Sequence, residues 1–87
     1  MKIIIKKGFI TQRIGDKITI FDSENSLLLT LNSTATFIFD RLKKGLETKK
    51  IAIDLASKFE VTEENARKDI DEFIKTLIEK GLAKKEK

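Results

Sequence analysis

The sequence predicts an α+β domain in which a three-stranded antiparallel sheet is followed by three helices, and three observations predict it. Between residues 9 and 31 short runs rich in β-branched and apolar residues are separated by polar turns, with Ile18 and Ile20 alternating against Thr19, as strands require. From residue 33 onward apolar residues recur every three or four positions, as helices packed on one face require. Residues that start or stop helices stand at the junctions the second pattern needs.

Ile3, Ile4 and Ile5, set between lysines, form either a short leading strand or an extended arm. The first strand of the sheet spans about residues 9–14, mixing aromatic, β-branched and polar residues, and it runs into Gly15-Asp16, a pair suited to a tight hairpin turn. The second strand, about 17–21, alternates Ile18 and Ile20 with Thr19 and pairs back on the first. After the polar turn Asp22-Ser23-Glu24-Asn25 comes the third strand, about 26–31, with Leu27, Leu29 and Leu31 on one face and Leu28 and Thr30 on the other. As the last strand of a meander it keeps one backbone edge without a partner, and such an edge must be blunted, covered or used.

At Asn32 the period changes. Asn32 or Ser33 can cap a helix of about 33–44, whose stripe is Ala35, Ile38, Phe39 and Leu42 and whose end is Gly45. Thr48 is the expected cap of a second helix, about 48–59, with Ile51, Ala52, Leu55, Ala56 and Phe59 buried. Thr62 caps a third, about 63–80, with Glu63 and Glu64 where the helix dipole favours negative charge and Gly81 as the stop. Ala66, Ile70, Phe73 and Leu77 make one apolar row of that helix, and Ile74 and Ile78 a second, rotated by about 100°. Either one row serves the core while the other lines a groove, or both are buried between two neighbours. Phe37 and Ile53 fall off their helices' stripes, which suggests apolar surface that is exposed or shared with a partner.

Composition narrows function by exclusion. Residues 1–87 make one domain, long enough for a modest core, since chains above roughly 60 residues can fold alone. Without cysteine or histidine there is no disulfide, thiol nucleophile or imidazole base, and almost no zinc chemistry. The net charge of +4 is diffuse: the runs Lys6-Lys7, Lys43-Lys44, Lys49-Lys50 and Lys84-Lys85 read as solvated surface. No segment has the apolar core of a secretion signal or approaches the length of a membrane span, so the cytoplasm is the expected compartment. Asp22-Ser23-Glu24-Asn25-Ser26 hints at a calcium loop, but Leu27 stands where the turn needs glycine and Ser33 where a carboxylate should close the site. Glycines 8, 15, 45 and 81 make no phosphate-cradling loop. On the third helix Asp69, Asp71, Glu72 and Glu79 interleave with Arg67, Lys68, Lys75 and Lys80 at the spacing of surface ion pairs rather than of acid–base machinery. No catalytic residue, cofactor or metal is expected.

Two functions fit this frame. Three capped helices beside a small sheet describe a winged helix-turn-helix-like shape, which often serves a DNA-binding regulator. Against it, the third helix carries 4 basic and 6 acidic residues, which opposes phosphate binding, and only Leu82-Ala83-Lys84-Lys85-Glu86-Lys87 remains for a wing. The other function uses the free edge of the third strand to accept an extended peptide as a fourth. With the third helix beside that edge, apolar peptide residues would meet Ile70, Ile74 and Ile78, with Arg67, Asp71 and Lys75 at the rim. Domain swapping or weak dimerisation through the same edge is an alternative use.

Leu31-Asn32-Ser33-Thr34-Ala35 resembles the strand-to-helix signature of the PqqD-like family. The similarity continues through Gly45, Ile51-Ala52, Leu55, Phe59, Asp69-Ile70, Phe73-Ile74, Leu77 and Gly81-Leu82, covering about residues 16–82. The resemblance implies a precursor-peptide recognition element of pathways that modify ribosomally made peptides. In that family a three-stranded sheet and three helices hold the leader segment against the third strand and third helix, while a separate enzyme, such as a radical SAM protein or leader peptidase, modifies the core. Carried over by position, Leu27, Leu28, Leu29, Thr30 and Leu31 of the strand and Arg67, Ile70, Asp71, Ile74, Lys75 and Ile78 of the helix would contact the leader. Phe37 departs from the family pattern, which is usually less bulky there.

Overall fold

A computed structural model of the chain describes residues 2–86. Strand β1 (Ile3–Ile5) leads into the meander β2 (Ile10–Ile14), β3 (Lys17–Asp22) and β4 (Leu27–Thr30). Helices α1 (Ser33–Lys43), α2 (Thr48–Phe59) and α3 (Glu63–Glu79) follow, and a last strand β5 (Ala83–Lys85) closes the order. The meander is an antiparallel sheet in the order β2-β3-β4, as expected, and the architecture is winged-helix-like α+β. The addition is a second sheet. Ile3–Ile5 is a strand rather than a loose arm, and the short tail pairs with it antiparallel, Ile3 opposite Lys85 and Ile5 opposite Ala83.

Local chemistry explains the junctions. Gly15 takes φ +62°, so Gly15-Asp16 forms the two-residue hairpin turn without a Cβ clash. Of the two cap candidates for α1, Asn32 acts: its side-chain oxygen accepts the Ala35 amide at 2.8 Å. Thr62 caps α3 by accepting the Asn65 amide at 3.1 Å. The expected cap at Thr48 is displaced by one residue, since Glu47 has the extended cap conformation and Thr48 is already helical.

One core holds the two sheets and three helices together. Ile18, Ile20 and Leu31 from the sheet meet Ile38, Phe39 and Leu42 of α1, Ile51 and Leu55 of α2, Ala66, Ile70, Phe73, Ile74 and Leu77 of α3, and Ile3 and Leu82 from the second sheet. Phe37, off the α1 stripe, packs edge-on against Phe59 with centroids 5.5 Å apart and carries the Arg41 guanidinium 3.6 Å above its ring. Its bulk therefore locks α1 to α2. Ile53, by contrast, remains exposed. The ion pairs expected along α3 do not close within 4.0 Å among the described residues. Exposed pairs gain little and immobilise two long side chains. Pairs form instead where the carboxylate is only partly exposed, as Arg13–Asp40 at 2.8 Å and Lys50–Asp54 at 3.1 Å.

Candidate functional site

The site is built around the unpaired edge of β4. Leu31 donates its amide to the Ile18 carbonyl at 2.8 Å, and the register sets Leu29 opposite Ile20 and Leu27 opposite Asp22. In an antiparallel ladder the backbone groups of successive residues point alternately toward and away from the partner. Leu27, Leu29 and Leu31 therefore spend theirs on β3, whereas the N–H and C=O groups of Leu28 and Thr30 point out along the free edge. Side chains follow the same alternation: Leu27, Leu29 and Leu31 turn toward the core, and Leu28 and Thr30 stand exposed on the outer face.

A buried hydroxyl fixes the end of this edge. Thr36 of α1 accepts the Ile18 amide at 3.1 Å and donates to the Leu31 carbonyl at 3.4 Å, so its Oγ1 sits as a splice between the last two residues of the β3–β4 ladder. Ser33 donates to Asp16 at 2.6 Å, tying the first hairpin turn to the start of α1 and holding that carboxyl below its usual value. At the other end of β4 the turn is ordered by Asp22, fully buried, which accepts from Lys6 Nζ at 2.9 Å, Asn25 Nδ2 at 2.9 Å and the Glu24 amide at 3.2 Å. The Lys6 hydrogen bond is the main cause of the lowered Asp22 pKa, against the opposing effect of burial, and the same bond raises that of Lys6. Both ends of the edge strand are thus anchored by side chains.

Helix α3 approaches the segments that flank this strand at either end. At one end of β4, Asn25 of the β3–β4 turn comes so near Gly81 that a Cβ there would stand 3.2 Å from Nδ2. At the other, a hollow of about 340 Å³ opens between the start of α1 and α3, lined by Asn32, Thr34, Ala35, Ile38, Asp69, Glu72, Phe73 and Thr76. Phe73 and Ile38 form an apolar floor and Asp69, Glu72 and Thr76 a polar rim.

Residues 18–83 match the family described as coenzyme PQQ synthesis protein D (PqqD). The chain belongs to the PqqD family. Two solved structures share its fold. TbiB1 in complex with the TbiA(beta) leader peptide is 18% identical, with a TM-score of 0.87 over 100% of this chain and 99% of that one. Lasso peptide synthetase B1 complexed with the leader peptide is 25% identical, with a TM-score of 0.87 over 98% of this chain and 100% of that one. No curated protein matches the chain in sequence.

In this PqqD-family chain the residues expected at the site are divided between the flanks of α3. With 100° per residue, Asp69, Phe73 and Thr76 lie within about 60° of one another, and Asp71 and Ile78 lie on roughly the opposite side of the helix. Ile74 and Ile78, with Asp71, Lys75 and Glu79, line a separate groove of about 750 Å³ against Lys84 and Lys85 of β5. Arg67, Ile70 and Asp71 border a third hollow with Thr48 and Lys49 of α2. Ile70 and Ile74 are fully buried core residues, and Ile78 is the one of the three isoleucines left partly exposed, at 36%. Leu27 to Thr30 form the edge strand and Leu31 follows it, but the α3 residues nearest the start of α1 are Asp69, Glu72, Phe73 and Thr76, of which apolar periodicity finds Phe73 alone. Their i, i+3, i+4, i+7 spacing is the signal that marks them as one face.

No group of His, Cys, Asp or Glu side chains among the described residues is arranged to hold a metal ion. No helix among them is long and apolar enough to cross a membrane.

Proposed function

We propose that the chain is a non-catalytic adaptor that binds the leader segment of a ribosomally made precursor peptide and presents it to a separate modifying enzyme, such as a radical SAM protein or a leader peptidase, in the cytoplasm. The observation that carries the reading is the open β4 edge, the outward N–H and C=O groups of Leu28 and Thr30 on a strand that leads through Leu31 to Asn32 in the wall of the hollow between α1 and α3. An extended peptide laid there gains backbone hydrogen bonds, and every second side chain turns toward Ala35, Ile38 and Phe73. Membership of the PqqD family supports the reading, as do the leader peptides named with both structural relatives.

A non-catalytic role suits a chain with neither a cysteine nor a histidine. Of the residues carried over from the family, Leu27 to Leu31 supply the edge in this proposal. Asp71, Ile74, Lys75 and Ile78 would reach the leader only if it continued around α3, and Arg67 and Ile70 only through the α2 side.

The test is a heteronuclear NMR titration of the labelled chain with the leader of a precursor encoded beside its gene, run in parallel with a short DNA duplex. Shifts centred on Leu28, Thr30, Asn32 and Phe73 with the peptide are the expected result. Shifts with DNA alone that fade as salt rises would replace the adaptor by a regulator.

A further inference from the structure

The groove on the far flank of α3 repeats the construction of the first. Lys6 donates its amide to the Leu82 carbonyl at 2.9 Å, and Glu86 donates to the Lys2 carbonyl at 3.1 Å. Those bonds fix the alternation in β5: Leu82, Lys84 and Glu86 turn their backbone groups to β1, and Ala83 and Lys85 turn theirs away from it. This second open edge runs beside the groove in which Ile74 and Ile78 form an apolar floor. An edge with outward N–H and C=O groups next to an apolar helix face has the geometry that accepts an extended chain.

The chemistry of the occupant follows from what surrounds the edge. Lys75, Lys84 and Lys85 line the groove against Asp71 and Glu79. A second copy of the chain fits poorly, because antiparallel self-pairing centred on Lys84 sets lysine opposite lysine, and like charges directly opposite are destabilising. Cross-strand pairing sets Lys84 beside the exposed Ile4 and Lys85 beside the buried Ile3, on opposite faces of β5, so acidic side chains at alternate positions of the incoming strand meet Lys84 while the apolar ones between them turn toward Ile74 and Ile78.

We propose that the β5 edge is a second docking surface, occupied by an extended segment of a partner protein with alternating acidic and apolar residues. The two edges lie on opposite flanks of α3, so one chain can hold a peptide on β4 and a protein on β5 at once. That this partner is the modifying enzyme rests on the reading above; the chemistry of the groove does not.

The probe is a short end-blocked peptide of alternating glutamate and valine, titrated into the labelled full-length chain, with the lysine-for-glutamate peptide as control. The expected result is saturable shifts at Ala83, Lys85 and the 74–79 stretch with the acidic peptide alone, weakening as ionic strength rises. The double substitution Lys84→Glu with Lys85→Glu, both exposed and outside the core, should weaken binding about tenfold while the spectrum stays folded. Absence of saturable shifts, equal binding of the lysine peptide, or concentration-dependent shifts at β5 without peptide would each overturn the inference. A parallel leader titration separates the two proposals. Leader shifts at Leu28 and Thr30 with none at β5 from the acidic peptide sink this inference alone. The reverse pattern sinks the leader reading and leaves the β5 surface standing.

Discussion

Replacing Leu28 with proline isolates the backbone chemistry of the β4 edge. The Leu28 amide points away from β3, so proline removes a donor that the fold does not use, and edge positions of this kind are where strands tolerate it. Leu27 before it is already extended, as a residue preceding proline must be. A bound leader would lose one N–H···O=C bond and keep an unpaired carbonyl in the groove, a combined loss of about 1–3 kcal/mol or roughly 5- to 150-fold in Kd. Leu28→Ala keeps the amide and removes the side chain, which is 69% exposed, so it separates the two contributions. Leu29→Pro is the contrasting perturbation, because that amide belongs to the β3 ladder opposite Ile20 and its loss damages the sheet itself. Fluorescence anisotropy with a labelled leader, alongside thermal melts of each variant, provides the assay. A folded Leu28→Pro chain that binds as tightly as Leu28→Ala would refute strand addition at β4.

Other substitutions test how that edge is held. Thr36→Val keeps the shape but removes the hydroxyl between Ile18 and Leu31, leaving a buried amide unpaired, and should lower stability by about 1–3 kcal/mol in urea denaturation. An unchanged midpoint would mean the splice contributes nothing. Asn32→Ala removes the α1 cap and should cost about 1 kcal/mol by the same measurement, with the cap's absence visible as faster amide exchange at Ala35. Asp22, held below its ordinary value of 3.8, contributes stability that is complete above that value and lost as pH falls through the lowered one. Lys6, raised above 10.5, contributes stability present below that value and lost as pH rises through the raised one. Asp22→Asn should therefore flatten both limbs of a melting-temperature profile against pH; an acid limb as steep as the parent's would place the responsible carboxylate elsewhere.

The parts of the fold that could be read from the chain are those encoded by local period. Leu27, Leu29 and Leu31 against Leu28 and Thr30 give the faces of β4, and Ala35, Ile38, Phe39 and Leu42 give the face of α1, because neighbouring residues suffice to define each. Strand β5 was not readable. Ala83-Lys84-Lys85 has no period of its own and becomes a strand only because Ile3–Ile5 lies alongside it, a partner at the opposite end of the sequence. The start of α2 is a smaller difference: threonine is a good capping residue, but Glu47 takes the extended cap conformation and Thr48 is already helical.

Helix α3 shows where reading by period ends. Periodicity orders its residues by angle and identifies Ile74 and Ile78 as an apolar row, but it carries no information about which neighbour that row meets. Apolarity alone therefore matches the row to any open strand, β4 included. The helix instead buries Ile74, turns Ile78 toward β5, and leaves the flank of Asp69, Glu72, Phe73 and Thr76 beside the start of α1. That polar-rimmed flank suits a groove that must release as well as bind. In the proposed binding mode Phe73 and Ile38 form the floor that selects, and the outward backbone groups of Leu28 and Thr30 supply attraction that any extended chain can satisfy. An adaptor that gained most of its affinity from apolar burial would hold its peptide against the enzyme that must act on it; one that gains it from an open edge passes on a chain whose remaining side chains are still exposed.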